Sequence, residues 1–369
     1  MAMDVPMSAD FSVPNASDLM NRINISGTEI GSGCPPFIIA EAGINHNGEL
    51  EKARQMIKTA KACGADAIKF QTFKAEEFIA NSEETFTYQS QGQEVTESML
   101  AMFKRYEFSP QEWRLIKESC DKEQILFLST PQNRSDLELL LELGIPAIKV
   151  GSDDFTNLPL LRDYAKTCLP MIVSCGMADL AEVHQALEAI GTLDGYPTIL
   201  LLCTSQYPTP PKDVNLRKLT TLSQAFPMII PGFSDHTQGG LASSLALALG
   251  ACFFEKHFTL DHQLPGPDHW FSEDPNELKI WIASIRQSET MMGSALVRPT
   301  PDETKMRLLA RRSIVALCDI QAGEKLTVRN IGLKRPGNGL PPSLFDKILN
   351  LTCNKNLPQG HLLQIGDVG

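Results

Sequence analysis

Two histidines follow apolar runs in settings that suit a ligand better than a core. His236 lies in "GFSDHTQGG" (residues 232–240), and His257 lies in "FFEKHFTLD" (residues 253–261). Two imidazoles at the ends of neighbouring strands can share one divalent ion, and Mn²⁺, Fe²⁺, Co²⁺ and Zn²⁺ all accept such nitrogen ligands. The pattern therefore predicts a metal site at His236 and His257. Asp235 points the opposite way along the strand, so we interpret it as a structural hydrogen-bond partner.

Two lysines lie inside apolar strand-like runs, Lys69 in "AIKFQTF" and Lys149 in "AIKVGS". A buried ammonium is costly without an anionic partner. That partner is either a substrate anion or a carboxylate of the same interior, such as Glu41 or Glu255. Ser152 follows Lys149 at a loop start that can offer N–H and O–H groups to a phosphate. The lysines predict an anion pocket, with Glu41 as a candidate general acid or base.

These residues fall at the ends of eight apolar runs that alternate with stretches of helical spacing. The runs are 37–43, 67–73, 125–131, 147–152, 171–176, 198–204, 228–237 and 252–258. Strands buried on both faces and separated by helices indicate a parallel sheet. Eight such units predict an α/β fold of the (β/α)₈ TIM-barrel type, with a doubly wound sheet as the alternative. In a barrel, the site lies at the carboxyl ends of the strands.

Changes in composition and hydrophobic pattern along the chain predict its domain organisation. Residues 1–34 lack periodicity and are rich in Ser, Asn, Pro and Gly, so we expect a mobile or loosely docked extension. The barrel then spans 35–293, and a linker spans 294–311. Residues 312–369 have short strand-like runs and repeated Gly turns, which predict a small β-rich domain. Its "KRPGNG" turn (334–339) holds Arg335, a side chain suited to carboxylate or hydroxyl recognition.

Composition excludes several classes of protein. The net charge is −11, which disfavours a nucleic-acid partner. No apolar run approaches the roughly 18 residues of a membrane helix, so no membrane association is expected. The first 34 residues lack the basic start and apolar core of a secretory signal. The nine cysteines form no Cys-x-x-Cys pair, and we predict reduced thiols in a cytoplasmic protein.

A series of motifs resembles the sialic acid synthases, which join phosphoenolpyruvate (PEP) to an N-acetylated amino sugar. The resemblance covers roughly residues 35–365, in order. Its motifs are "IAEAGINHNG", "AIKFQTFK", "AIKVGS", "CTSQYPTPPKDVNLR", "GFSDHT", "EKHFTLD", "GPDHWFS" and "KRPGNG". The resemblance implies a barrel followed by an antifreeze-like (SAF) domain. It also implies a domain-swapped homodimer, in which the small domain of one chain closes the active site of the other.

The resemblance also implies roles for individual residues. His236 and His257 match the metal ligands, with Mn²⁺ the usual ion and Mg²⁺ or Co²⁺ the alternatives. The matches to PEP contacts are Lys69, Lys149, Ser152 and Ser234. Further matches around PEP and the sugar are Glu41, Tyr207, Asp268 and Ser205, the last standing where some bacterial members have Asn. Arg335 matches the residue that reaches over to the N-acetyl group of the sugar.

The predicted function is therefore an N-acetylneuraminate synthase that condenses PEP with N-acetylmannosamine. A legionaminic or pseudaminic acid synthase, which uses a diacetamido sugar, is the alternative within the family. A metal-dependent pyruvate aldolase would need no phosphate pocket at Lys149 and Ser152. A non-catalytic sugar- or ice-binding protein would have no use for buried lysines, and the small domain has only Thr327 and Thr352 to build an ice-binding face.

Overall fold

The protein is described by a computed structural model over residues 22–369. The chain divides into two compact units, the first ending at Gly293 and the second spanning Ser294–Gly369. Residues 1–21 of the predicted extension lie outside the described residues. None of the helices in residues 22–369 is long and apolar enough to cross a membrane.

The strands and helices alternate along most of the first unit. In chain order the strands are β1 (Arg22–Ile25), β2 (Thr28–Gly31), β3 (Phe37–Gly43), β4 (Ala67–Thr72), β5 (Thr85–Ser90), β6 (Gln93–Ser98), β7 (Leu126–Pro131), β8 (Ile148–Val150), β9 (Met171–Ser174), β10 (Thr198–Leu202), β11 (Ile230–Ser234), β12 (Phe253–His257), β13 (Ser313–Ala316) and β14 (Ile331–Lys334). The helices are α1 (Leu50–Cys63), α2 (Ala75–Phe78), α3 (Met99–Lys104), α4 (Pro110–Glu123), α5 (Arg134–Glu142), α6 (Leu158–Ala165), α7 (Leu180–Ile190), α8 (Pro211–Val214), α9 (Arg217–Ala225), α10 (Leu241–Ala248), α11 (Pro275–Met292), α12 (Pro301–Ala310) and α13 (Phe345–Ile348).

Eight parallel strands form a nearly closed barrel in the first unit. They pair in the order β7-β4-β3-β12-β11-β10-β9-β8, and the two strands that end this order, β7 and β8, lie next to each other. All eight predicted runs coincide with these strands. The TIM-barrel prediction is confirmed, and the doubly wound alternative is wrong.

The pleat of the strands decides which side chains enter the barrel. Along β3, Phe37 and Ile39 belong to the interior cluster, whereas Ile38 and Ala40 pack outward against the helices. Since successive side chains alternate, Glu41 follows Ile39 into the interior. The same alternation in β12 turns Glu255 inward. Apolar residues therefore fill the amino-terminal half of the barrel, and polar residues occupy its carboxyl end.

The helices begin and end where the sequence provides caps. Ser109 and Glu112 form a capping box at the start of α4, and Gly64 ends α1 with φ of 94°. Helix α10 exposes Leu241 and Leu245 on its outer face. Its buried residues are small, Ser243 and Ala246.

The described part of the predicted extension, residues 22–34, contains a hairpin that packs on the barrel. Strands β1 and β2 form an antiparallel hairpin in which Ile25 pairs with Thr28. Ile23, Ile25 and Ile30 are buried in the same cluster as the interior residues at the start of the barrel strands. The hairpin covers the amino-terminal end of the barrel, because its isoleucines pack on that cluster while its polar residues stay exposed.

The second unit, Ser294–Gly369, has its own core around Ile314, Ile320 and Leu363. Strands β13 and β14 pair antiparallel, and isolated bridges connect most of the remaining short segments. The segment predicted as a linker, 294–311, contains helix α12. The backbone N–H of Gly337 donates to Leu308 O at 2.8 Å, so α12 holds the "KRPGNG" turn within this unit.

One buried histidine makes the stability of the barrel dependent on pH. The Nδ1 atom of His46 accepts from the N–H of Gly48 at 3.0 Å, and its ring stacks on Phe108 with centroids 4.3 Å apart. Burial lowers the pKa of His46 to about 3, with the positive charge of His269 as a smaller contribution. The unfolded chain therefore binds a proton between pH 6.5 and 3 that the folded chain does not, and stability falls as pH falls through this range.

Because of His46, we expect the free energy of unfolding to fall by about 2 kcal/mol when the pH is lowered from 7 to 5. Urea denaturation of the wild type and His46→Asn at both pH values checks this, because the variant should show a smaller loss on acidification. His184→Asn provides the control, because it makes the same substitution at an exposed histidine on α7. An equal loss in the wild type and His46→Asn would contradict the prediction.

Candidate active site

The carboxyl ends of the barrel strands surround a polar pocket of about 300 Å³. Of the eleven predicted site residues, those that line it are Glu41, Lys69, Lys149, Ser152, Ser205, Tyr207, Ser234, His236 and His257. Asp268 lines an adjoining cavity, and Arg335 belongs to the other unit. The structure thus brings together nine residues that lie up to 216 positions apart, from Glu41 to His257.

The centre of the pocket is a buried group of two lysines and two carboxylates. Lys69 Nζ lies 2.8 Å from Glu41 Oε2 and 3.7 Å from Glu255 Oε2. Lys149 Nζ lies 3.6 Å from Glu255 Oε1 and donates to Ser174 Oγ at 2.8 Å. All four charged side chains are at most 6% exposed. The barrel carboxylates thus supply the anions that the sequence required for both lysines.

The two carboxylates differ in charge state. Burial raises the pKa of Glu41 above its usual range, and Lys69 offsets only part of that rise. Burial would also raise the pKa of Glu255, but Lys149 and Lys69 outweigh it and bring the pKa below its usual range. Glu255 therefore keeps its negative charge, and Glu41 is the carboxylate that takes up a proton. Lys69 and Lys149 then share one charged carboxylate, Glu255, so both can also donate to an anionic ligand.

Hydroxyl and thiol groups line the side of the pocket next to Lys149. Ser152 Oγ lies 3.0 Å from Cys203 Sγ and accepts from the N–H of Gly176 at 3.0 Å. A Cβ at position 176 would lie 2.6 Å from both Ser152 Oγ and Ser205 Oγ, so only glycine allows these side chains to converge. The wall offers several short polar groups to one oxyanion.

His236 and His257 meet, as predicted, with ring centroids 5.5 Å apart. The Nδ1–H of His236 donates to Thr204 O at 2.7 Å, which leaves Nε2 as an acceptor, 3.4 Å from Ser234 Oγ. Burial lowers the pKa of both histidines, so both imidazoles are neutral. Within residues 22–369, the buried Nδ1 of His257 finds no hydrogen-bond partner. Two neutral rings with available nitrogens fit a divalent ion, with water or substrate oxygens as the remaining ligands.

A second group of metal-ligand types lies on the surface of the same unit. Atoms of His262, Asp274 and Glu277 approach within 4.8 Å of one another. This is the only group of three or more such residues at that spacing in the described part of the chain. His262 Nε2 lies 2.8 Å from Glu277 Oε2, and Asp274 caps α11, so a hydrogen bond and a helix cap account for the group.

A larger cavity of about 510 Å³ opens from the polar pocket. The two share Gln71, Gln132, Asp153, Tyr207 and His257 as lining residues. Asp268 lies at this junction, with Oδ2 3.8 Å from His257 Nδ1. The Tyr207 ring packs on His236 with centroids 4.2 Å apart. The polar pocket can therefore hold a small anion, and the larger outer cavity can hold a larger substrate with polar groups at one end.

Arg335 is exposed and directly follows β14. The next residue, Pro336, accepts at its carbonyl from Ser313 Oγ at 2.7 Å, which fixes the turn. In the part of the chain that the structure describes, the guanidinium makes no ion pair. Its predicted role at an active site stays a prediction.

Sequence reasoning did not assign several residues that the structure places in or behind the site. Ser174 bonds Lys149, and Gln132 and Asp153 line both cavities. Ser174 ends an apolar run, and that position alone could have identified it. Lys256 lies on β12 with its side chain on the outward face of the strand, where it is buried. Its Nζ lies 3.2 Å from an Asp235 oxygen and 3.3 Å from a Glu273 oxygen. Asp235 is thus a structural partner, as predicted.

Comparison with known proteins identifies the class of protein that this fold and site define. The NeuB family model matches residues 56–296, and the SAF domain model matches residues 311–369. The N,N'-diacetyllegionaminic acid synthase of Legionella pneumophila is 40% identical over 338 residues, covering 90% of this chain and 94% of that protein. The N-acetylneuraminate-9-phosphate synthase of Mus musculus is 36% identical over 337 residues, covering 90% and 91%.

A solved structure agrees with the sequence comparisons. The N-acetylneuraminic acid (sialic acid) synthetase of Leptospira borgpetersenii, crystallised with citrate, has a TM-score of 0.69 at 34% identity, covering 78% of this chain and 95% of that one. The chain therefore belongs to the NeuB family and carries a carboxyl-terminal SAF domain. The resemblance drawn from the sequence motifs is confirmed.

Proposed function

We propose that the protein condenses PEP with an N-acetylated amino sugar and releases phosphate, as a nonulosonic acid synthase. The observation that carries the proposal is the buried group of Lys69, Lys149, Glu41 and Glu255, placed next to two neutral histidines. The family of the chain and the names of its relatives support it.

PEP occupies the inner pocket in this proposal. Lys149, Lys69 and the hydroxyls of Ser152 and Ser234 hold its phosphate and carboxylate. Ser234 Oγ already donates to Glu255 Oε1 at 3.1 Å, so its position is fixed before a ligand binds. Holding both substrates in one pocket makes the attack effectively intramolecular, which removes much of its entropic cost.

His236 and His257 would hold a divalent ion, with Mn²⁺ as the predicted metal and Mg²⁺ or Co²⁺ as alternatives. When bound, that ion would supply Lewis-acid polarisation of the aldehyde oxygen of the open-chain sugar. Tyr207, Asp268 and Ser205 surround the acceptor at the junction of the cavities. We also propose the domain-swapped homodimer, in which Arg335 of the partner subunit contacts the N-acetyl group.

The reaction balances with these groups. The π electrons of PEP form a bond from its carbon 3 to the aldehyde carbon, and the aldehyde oxygen takes a proton. Water adds to carbon 2 of PEP and loses a proton. The C–O bond to phosphate in the tetrahedral intermediate then breaks, the carbon 2 hydroxyl gives its proton to the departing phosphate, and a 2-oxo acid remains. Glu41 is the candidate for proton transfer, because its raised pKa lets it hold a proton near neutral pH.

Two acceptors compete within this proposal. N-acetylmannosamine is the acceptor predicted from the motifs. A 2,4-diacetamido sugar is the second candidate, and one observation favours it: the outer cavity has a wall of aromatic side chains, including Phe86, Tyr88 and Trp270. The Legionella relative is named for a diacetyl product, in agreement with that observation.

Phosphate release from PEP with Mn²⁺ tests the proposal. N-acetylmannosamine, its 6-phosphate and 2,4-diacetamido sugars are compared as acceptors. We expect release that requires both an acceptor and a divalent metal. Absence of release with every acceptor, from folded and metal-loaded protein, would contradict the proposed function and favour the binding-protein alternative.

A further inference from the structure

One wall of the larger, outer cavity is a hairpin that was not predicted from the sequence. Strands β5 and β6 pair from Thr85–Ser98 to Ser90–Gln93. The turn between them is Gln91–Gly92, with φ of 52° and 74°, a two-residue turn whose positive φ values match the twist of a hairpin. Phe86 and Tyr88, two residues apart on β5, stack with centroids 5.8 Å apart.

Hydrogen bonds hold the tip of the hairpin against a neighbouring loop. Ser90 Oγ accepts from the N–H of Gly266 at 3.1 Å, and Gln91 Nε2 donates to Gln263 O at 2.9 Å. These bonds connect its tip to the loop that carries Asp268 and Trp270. The Tyr88 hydroxyl donates to Glu97 Oε1 at 2.6 Å, so its ring faces the cavity from an anchored position.

The wall has a distinct chemical character. Aromatic and other apolar side chains dominate it, and Phe86 and Trp270 remain 39% and 38% exposed. Its acidic members are Glu94, Asp153 and Asp268. Among the described residues that line this cavity, there is no Lys or Arg. Such a wall attracts acyl and methyl groups and repels a phosphate.

We propose that the β5–β6 hairpin determines acceptor specificity. Phe86 and Tyr88 receive the end of the sugar remote from its aldehyde, and Glu94 excludes a negative charge there. The favoured acceptor has N-acyl and methyl groups at that end, and a 6-phosphorylated sugar is a poor substrate. This inference rests on the proposed function, because it assigns the outer cavity to the acceptor of that reaction.

Steady-state phosphate release with three acceptors tests the inference. The probes are 2,4-diacetamido-2,4,6-trideoxymannose, N-acetylmannosamine and N-acetylmannosamine 6-phosphate. We expect the wild type to prefer the first over the third by about 100-fold in kcat/KM, because a phosphate among carboxylates is both repelled and desolvated. Equal use of the phosphorylated sugar would overturn the proposal.

Two variants separate the aromatic and electrostatic contributions. Phe86→Ala should lower kcat/KM for the diacetamido sugar about tenfold, the scale of a lost apolar contact in a pocket, with an unchanged KM for PEP. Glu94→Lys should raise kcat/KM for the 6-phosphate about fivefold, the upper range for an exposed charge pair. Leu141→Ala, on α5 and 40% exposed, removes a comparably exposed side chain outside the cavity and should change neither ratio.

The outcomes are distinguishable. Unchanged acceptor ratios in Phe86→Ala and Glu94→Lys, with normal phosphate release, would overturn the hairpin proposal alone. No release from the wild type with any of the three sugars would overturn the proposed function and this inference together. Thermal melting of each variant shows that the comparison is made between folded proteins.

Discussion

A His236→Ala variant should lose turnover by about a thousandfold at saturating Mn²⁺, the scale seen when a group that stabilises developing charge is removed. The reason is geometric. His236 and His257 form a pair of neutral imidazoles, and the Nδ1–H bond of His236 to Thr204 fixes which nitrogen faces the pocket. Alanine removes one of the two proposed protein ligands, and the remaining histidine alone would hold an ion weakly.

Mn²⁺ binding should be measured together with phosphate release, by electron paramagnetic resonance of the free ion. We expect His236→Ala to bind Mn²⁺ much more weakly than the wild type while its far-UV circular dichroism is unchanged. His262→Ala provides the matched control, because His262 belongs to the surface group with Asp274 and Glu277. Loss of Mn²⁺ binding in His262→Ala, with retention in His236→Ala, would place the metal on the surface and contradict the site.

The barrel was predictable because its signals are local and strong. Each of the eight barrel strands is a short apolar run. Parallel strands that are buried on both faces do not alternate between apolar and polar residues. Once a barrel is assumed, the polar residues at strand ends must converge, and this places Glu41, Lys69 and Lys149 in one pocket without further information. The pairing of Lys69 with Glu41 was one of two open alternatives, because sequence order does not give distances between strands.

Two hairpins were not predicted, for a shared physical reason. In β5 and β6, Thr, Gln and Glu separate the larger side chains, and most residues are exposed, so the segment lacks an apolar face of its own. The β1–β2 hairpin buries only three isoleucines, and it needs the open end of the barrel to bury them. Both hairpins are stabilised by packing against other parts of the protein. The sequence pattern of the hairpin segment alone does not reveal that packing.

Lys256→Met should destabilise the barrel by about 3–5 kcal/mol, the usual effect of removing one member of a buried ion pair. Lys256 is 3% exposed and lies between Asp235 and Glu273. It also donates to the carbonyls of Thr237 and Gly239. Without the ammonium group, two buried carboxylates would face each other with no cation between them.

Lys256 fixes the segment that carries a proposed metal ligand. Asp235 precedes His236, and Thr237 follows it, so both contacts of Lys256 flank the histidine. Asp235 Oδ2 also accepts from Ser243 Oγ at 2.6 Å, and Ser243 Oγ in turn accepts from Trp281 Nε1 at 2.9 Å. We therefore expect Lys256→Met to weaken Mn²⁺ binding by about 10–100-fold, the range for residues that orient metal ligands.

Urea denaturation and Mn²⁺ titration of the same variants separate stability from positioning. Lys305→Met removes an exposed lysine paired with Asp302 and should cost less than about 1 kcal/mol. The double variant Lys256→Met with Asp235→Asn removes one of the facing negative charges, so it should recover part of the lost stability. Because the amide does not restore the contacts to Thr237 and Gly239, Mn²⁺ binding should stay weak in the double variant. Wild-type stability in Lys256→Met would show that the two carboxylates are accommodated without this lysine.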